Sequence, residues 1–217
     1  MPQGFATVSD LPQVLPVFPL AGAILLPRAQ LPLNIFEPRY LAMIDDAMAQ
    51  ERVIGMIQPS GGPATLPALH PIGCAGKIVA FAETSDGRYL ITLSGLSRFR
   101  IVSELPSNEP YRQVRADFTV FPDDLAKPDG LRPIDPALFG ALRAYLEKRS
   151  LEIDWDAAEG APLEALCNSL SMALPFEPQE KQALLEALTV DDRCRVLTAL
   201  MRMDAAETGD DEPGLMQ

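Results

Sequence analysis

Nucleophilic chemistry in this chain would have to run through His70 and Cys74, because His70 is the single histidine and Cys74 the cysteine closest to it in sequence. An imidazole within reach of a thiol can take its proton and leave a nucleophilic thiolate. Working sites of this kind also hold a third group that orients the base, and no such residue is identifiable here. His70 lies in a proline-flanked loop, Leu69-His70-Pro71, preceded by Gly61-Gly62-Pro63, while Cys74 opens a strand-like run. The expectation is therefore no catalytic residue: His70 belongs to a loop or strand entry, and Cys74 to the core.

Metal and phosphate chemistry are equally poorly served. Cys74, Cys167 and Cys194 are far apart, and one histidine cannot complete a zinc site of the usual spacing. Each cysteine reads as a small apolar core residue, which suits a reducing cytoplasm. Asp45-Asp46 and Asp123-Asp124 are adjacent carboxylates, but sequence neighbours do not share a helix face, so both pairs read as solvated surface. No Gly-x-x-x-x-Gly-Lys-Ser/Thr run occurs, which excludes a P-loop. No metal and no cofactor are expected. Arg98 and Arg100 alternate on a strand-like segment and read as isolated cations.

Glu37 and Arg39 form the one suggestive opposite-charge pair. They could ligate a peptide backbone or terminus. The favoured reading is architectural, with Glu37 as a helix cap and Arg39 as a clamp between that helix and a sheet, since a buried arginine needs a carboxylate or carbonyl partner. Just upstream, Ile24 to Leu33 carries more apolar residues than a surface loop needs. Any part left exposed near Phe36 would make a contact patch for a partner, and its prolines would lower the cost of ordering on binding. Leu31, Leu33, Phe36 and Arg39 are the candidate polypeptide-binding residues.

The elements around these residues follow from periodicity. Leu33-Asn34-Ile35-Phe36 reads as a strand, and Pro38 occupies a first helical position, where its missing N–H costs nothing. Leu41, Ile44, Ala47 and Met48 recur at helical spacing. Strand-like runs continue through Val53–Ile57, Gly73–Ala82, Tyr89–Leu93, Phe99–Val102 and Tyr111–Phe118. Asp86-Gly87 sits between two of them as a hairpin signal, read as a turn with φ above zero at both central positions. From Pro136 onward the periods are helical. Leu138, Leu142, Tyr145 and Leu146 form one face, and Leu163, Leu166, Leu170 and Leu174 a second. Phe176-Glu177-Pro178 restarts a helix, with Phe176 read as a hydrophobic staple. Thr189 and Asp192 resemble a capping box ahead of Val196, Leu197, Leu200 and Met201. The expected organisation is a β-rich lobe over 1–120, a linker over 121–135, a helical lobe over 136–204 and an acidic, frayed tail over 205–217.

Composition bounds the function classes. Hydrophobic residues make up 47% and charged residues 22% of the 217 residues, an ordinary globular balance. The net charge of −12 opposes binding to nucleic acid or to an anionic membrane unless cations gather on one face, and no such cluster is seen. Neither a secretory leader nor an apolar run of the roughly 20 residues a membrane helix needs is apparent.

The runs Phe18-Pro19-Leu20, Leu31-Pro32-Leu33-Asn34-Ile35-Phe36-Glu37-Pro38-Arg39-Tyr40 and Leu174-Pro175-Phe176-Glu177-Pro178-Gln179-Glu180-Lys181-Gln182-Ala183-Leu184-Leu185-Glu186 resemble the N-terminal, substrate-binding domain of the ATP-dependent Lon proteases. The similarity extends from about Leu15 to about Arg202, with Glu37, Pro38, Arg39 and Tyr40 as its densest motif. It implies an α+β fold: an N-terminal PUA-like pseudo-barrel of β-strands with one helix, followed by a C-terminal helical bundle. It implies a stand-alone domain without the ATPase and Ser–Lys protease modules, hence no enzyme. Its expected partners are unfolded or partly folded polypeptides, in the manner of a quality-control adaptor. Two alternatives remain open at this point: a small-molecule enzyme or sensor using the cleft between the lobes, and an RNA-binding PUA-like module, which the net charge disfavours.

Overall fold

The computed structural model describes residues 5–63, 66–127 and 132–206. Its strands are β1 (Val14–Pro19), β2 (Gln30–Ile35), β3 (Val53–Ile57), β4 (Pro59–Gly61), β5 (Ala68–Leu69), β6 (Ile72–Glu83), β7 (Tyr89–Leu105) and β8 (Arg112–Asp117). Its α-helices are α1 (Pro38–Met48), α2 (Pro136–Arg149), α3 (Trp155–Gly160), α4 (Leu163–Ala173), α5 (Pro178–Glu186) and α6 (Val190–Ala206). The chain divides into two compact units that interleave in sequence: residues 1–128 with 168–186, and 129–167 with 187–217. This differs from one cut near 121–135, since the end of α4 and all of α5 group with the strands. Residues 128–131 of the expected linker lie outside the described residues, as does the expected tail beyond Ala206, while Ala205 and Ala206 continue α6.

The first unit is the α+β pseudo-barrel that the sequence leads one to expect. The strand order is β2-β7-β6-β3-β1-β8, and β8 pairs back onto β7. The 17-residue β7 makes this possible. One of its edges pairs with β6, while the other pairs with β2 near Tyr89–Ser94 and with β8 near Arg100–Leu105. The inward residues Leu15, Val17, Val53, Ala75, Phe99 and Val114 fill the barrel. α1 buries Tyr40, Met43, Ile44 and Ala47, a face turned by about one residue from the one the periodicity suggested; Leu41 and Met48 are only half-buried.

The segment between β1 and β2 is locked in place by two facing glycines. Gly76 and Gly95 are register partners on β6 and β7. A Cβ on Gly95 would stand 2.0 Å from the Leu26 carbonyl oxygen, and one on Gly76 would stand 2.5 Å from a Leu25 methyl. Their missing side chains form a trench for the Ile24–Leu26 backbone, which Gly95 also holds by exchanging hydrogen bonds of 2.9 Å with Arg28 and Ala29. Ile24, Leu25 and Leu26 are consequently core.

Several sequence readings require correction. Arg98 is buried, and its guanidinium grips the buried Asp124 carboxylate through two bonds of 2.8 and 2.9 Å while donating to the Leu185 carbonyl at 3.0 Å. It also lies 4.0 Å from the Phe121 ring centre. Asp124 is therefore an interior anchor, and residues 122–125 form a 3₁₀ turn fixed to the barrel rather than a free linker. Arg100 pairs with Asp117 at 2.7 Å. Asp45 and Asp46 accept from the Tyr89 and Tyr111 hydroxyls at 3.0 and 2.7 Å. The hairpin at Asp86-Gly87 exists, but among the five loop residues between β6 and β7 only Gly87 has a positive φ, +78°. The Gly87 N–H closes onto the Thr84 carbonyl at 3.0 Å.

In the second unit α2 packs along α6, burying Leu138, Leu142, Tyr145 and Leu146 from one and Leu197 and Met201 from the other. Thr189 and Asp192 make the reciprocal capping bonds at 3.3 and 3.0 Å. Cys167 and Cys194 are joined in a disulfide, so two of the three cysteines are not the separate core thiols that the sequence suggested. Their α-carbons must come together across 27 residues of sequence, a proximity that spacing does not reveal.

Candidate functional site

β6 and β7 form a hairpin whose far end stands away from the core. The last residues of β6, from Ala80 to Glu83, are exposed, as are the side chains of Val79 (50%), Phe81 (41%) and Leu90 (46%). The cause is in the sequence: Ile78-Val79-Ala80-Phe81-Ala82 is apolar at both strand parities, and a strand can turn only one parity inward. β2 lies beside this hairpin through its pairing with β7. Directly opposed residues share a sheet face, so Pro32, Thr92 and Ala80 form one row and Asn34, Leu90 and Ala82 the next. These rows, with Leu33, Phe81 and Ile91, line an open cavity of about 510 Å³.

The platform is braced from behind. Phe81 meets Tyr89 edge to face at 4.9 Å between ring centres, and the Tyr89 hydroxyl donates to the Asp45 carboxylate on α1 at 3.0 Å. That hydrogen bond to an anion holds the Tyr89 hydroxyl's pKa above its ordinary value. No acid–base residue lines this cavity. The surface offers apolar contact together with the polar edges of Asn34 and Thr92, which is the chemistry of holding an extended segment rather than transforming one.

The residues singled out from sequence separate on the structure. Leu33 reaches the apolar cavity, whereas Leu31, one position from its rim, does not line it. Phe36 is 63% exposed just beyond β2. Arg39 lines a different cavity of about 360 Å³ with Tyr40, Tyr111, Arg112 and several prolines. It is not the expected clamp. Its guanidinium is exposed, pairs with Glu37 at 2.7 Å and stacks 4.6 Å from the Tyr40 ring centre. Glu37 occupies the cap position of α1, but its carboxylate makes no capping bond. In the same cavity Arg112 donates to the Pro67 carbonyl at 2.6 Å and forks onto Glu104, whose pKa that hydrogen bond lowers.

Cys74 is fully buried, and its thiol faces the Ala75 carbonyl at 3.6 Å. The His70 N–H is tied to the Gln58 carbonyl at 2.9 Å. Among the described residues no group of three or more His, Cys, Asp or Glu is placed to hold a metal ion, and no helix is long and apolar enough to cross a membrane. Sequence reasoning missed Phe81 and Leu90, although the unbroken apolar run beside a turn was a signal available for the former.

Residues 14–203 match the family described as the ATP-dependent protease La (LON) substrate-binding domain. The chain is similar to Lon protease 2 of Myxococcus xanthus, 27% identical over 213 residues that cover 92% of this chain and 25% of that protein. It is likewise 27% identical to Lon protease of Syntrophus aciditrophicus, over 89% of this chain and 25% of that one. The chain thus spans only 25% of the length of these curated relatives. Two solved structures share the fold. One is a Lon N-terminal domain protein from Xanthomonas campestris, with a TM-score of 0.61 at 24% identity, covering 86% of this chain and 97% of that one. The other is the N-terminal domain of a Mycobacterium avium complex Lon protease, with a TM-score of 0.57 at 19% identity, covering 87% and 97%.

Proposed function

The chain belongs to the LON substrate-binding domain family, and from that premise we propose that it recognises unfolded or partly exposed polypeptide segments without transforming them, as an adaptor in cytoplasmic protein quality control. The observation that best supports this reading is the apolar platform of Pro32, Ala80, Ala82 and Leu90 at the β2–β7–β6 edge of the barrel. Exposed apolar side chains concentrated on one platform mark a contact surface. Here they sit on regular strands, so they are ordered before the partner arrives and little side-chain freedom is lost on docking.

The test is equilibrium binding of the full chain to a fluorescent, permanently unfolded polypeptide, with the folded form of the same polypeptide as control. Saturable binding selective for the unfolded form is expected. Leu90→Asp should weaken it at least ~10-fold, the effect of about 1.4 kcal/mol, while leaving the melting temperature unchanged because Leu90 is already 46% exposed. Absence of binding at about 100 μM, well into the weak range, would overturn the proposal. Binding that survives both Leu90→Asp and Ala80→Asp would move it to another surface.

A further inference from the structure

We propose that the Cys167–Cys194 bridge is a reversible thiol–disulfide exchange site that sets the stability of the second unit. Two observations carry this. First, the two sulfurs differ in access: Cys167 is fully buried, whereas Cys194 is half-buried and lines an open cavity of about 470 Å³ beside Leu138, Leu163 and Thr198. The side open to an attacking thiolate is that of Cys194. Second, the bridge lies at a topological neck. The chain leaves the second unit after Cys167 and returns to it at Ala187, and the disulfide ties the exit point on α4 to the first turns of α6.

The reductant is a dithiol. Its thiolate attacks the Cys194 sulfur, the Cys167 sulfur leaves as a thiolate and takes up a proton, and a mixed disulfide with Cys194 results. The second thiol of the reductant, deprotonated, then attacks its own sulfur in that mixed disulfide and releases Cys194, which is protonated in turn. The protein gains two electrons and two protons, and the dithiol leaves as a disulfide. Opening the bridge returns to the unfolded chain the freedom that a closed loop of this length had removed, so the second unit loses stability while its fold needs no rearrangement.

The experiment equilibrates the full chain in glutathione couples ranging from strongly reducing to strongly oxidising, and in reduced dithiothreitol. Alkylation with peptide mapping reads the bridge, and thermal melting reads stability. A Cys167–Cys194 peptide is expected under oxidising ratios and should be lost within the glutathione range on the folded protein. The melting temperature should fall by on the order of 10 °C on reduction, as for a loop-closing bridge in a unit of this size. Cys194→Ser should melt like the reduced parent and ignore the reductant, and Cys74→Ser should respond as the parent does. If Cys194→Ser does not fold, the reduced parent supplies the same comparison. Three outcomes would each overturn the proposal: no linked peptide at any ratio, a link that opens only after denaturation, or identical melting of the oxidised and reduced forms.

Discussion

Burial decides what each charged residue is worth. Arg98 and Asp124 are 3% and 6% exposed. Removing one partner leaves the other a buried charge without its counter-ion, which typically costs about 3–5 kcal/mol. Asp124→Ala should therefore lower the unfolding free energy of the first unit by that order, read as a lower urea midpoint, since a carbonyl such as that of Leu185 supplies no counter-charge. Arg39 and Glu37 have the same chemistry and the opposite context, with side chains 42% and 43% exposed. Water already solvates them, so Arg39→Ala should cost less than about 1 kcal/mol. Measuring the two variants side by side separates the roles, and a large loss in Arg39→Ala would restore the clamp reading that the geometry removes. The sequence gives no means of ranking the two arginines. Each sits near an acid or an alternating strand, and the partner that matters for Arg98 lies 26 residues away.

At the level of elements, the fold depends on close approaches that particular side chains would prevent. Gly95→Ala would set a methyl 2.0 Å from the Leu26 oxygen, against backbone that is itself hydrogen-bonded to β7. Neither side can yield cheaply. The expected loss is on the order of 3 kcal/mol, read as a drop in the denaturation midpoint, and a variant as stable as the parent would show that the trench can widen. In the second unit α2 and α6 share Asp204, which accepts from Arg149 and pairs with Lys148 at 3.7 Å. The hydrogen bond from Arg149 holds the Asp204 carboxyl below its ordinary value of 3.8. Its folded pKa is thus depressed, so its contribution is fully present above that ordinary value and is lost as pH falls through the lower folded one. Melting of the parent should decline on acidification below about pH 4, and Asp204→Asn should flatten that decline. An identical acid profile in both proteins would assign the effect to other carboxylates.

For the molecule as a whole, what could be read ahead of the structure was whatever is local or periodic. The strands, the helix opened by Pro38, the capping box at Thr189 and the family resemblance all rest on neighbours in sequence. The disulfide, the Arg98–Asp124 anchor and the buried amide of Gln58, which reaches Gly22, Pro178 and Gln182, rest on tertiary proximity that no spacing rule encodes. The candidate surface falls between these cases. Leu33 was legible as a strand residue near a patch, but β7 pairs it with the buried Ile91, and Leu90 stands on the other face in the row of Asn34. Charge, unlike contact, is readable at the scale of the whole chain. The chain carries a net charge of −12, and the apolar platform has no charged side chain of its own. The long-range field therefore favours approach of cationic segments, while the platform itself selects apolar ones. Unfolded peptides with an apolar centre and lysine flanks should bind more tightly than the same centre with glutamate flanks at low ionic strength. The difference should shrink at about 0.5 M salt, where screening confines surface fields to a few ångströms. The affinity of an uncharged apolar peptide should change little over the same range. If the glutamate-flanked peptide bound equally well at low salt, the net field would play no part in client choice, and selection would rest on the apolar contacts of the β2–β7–β6 edge alone.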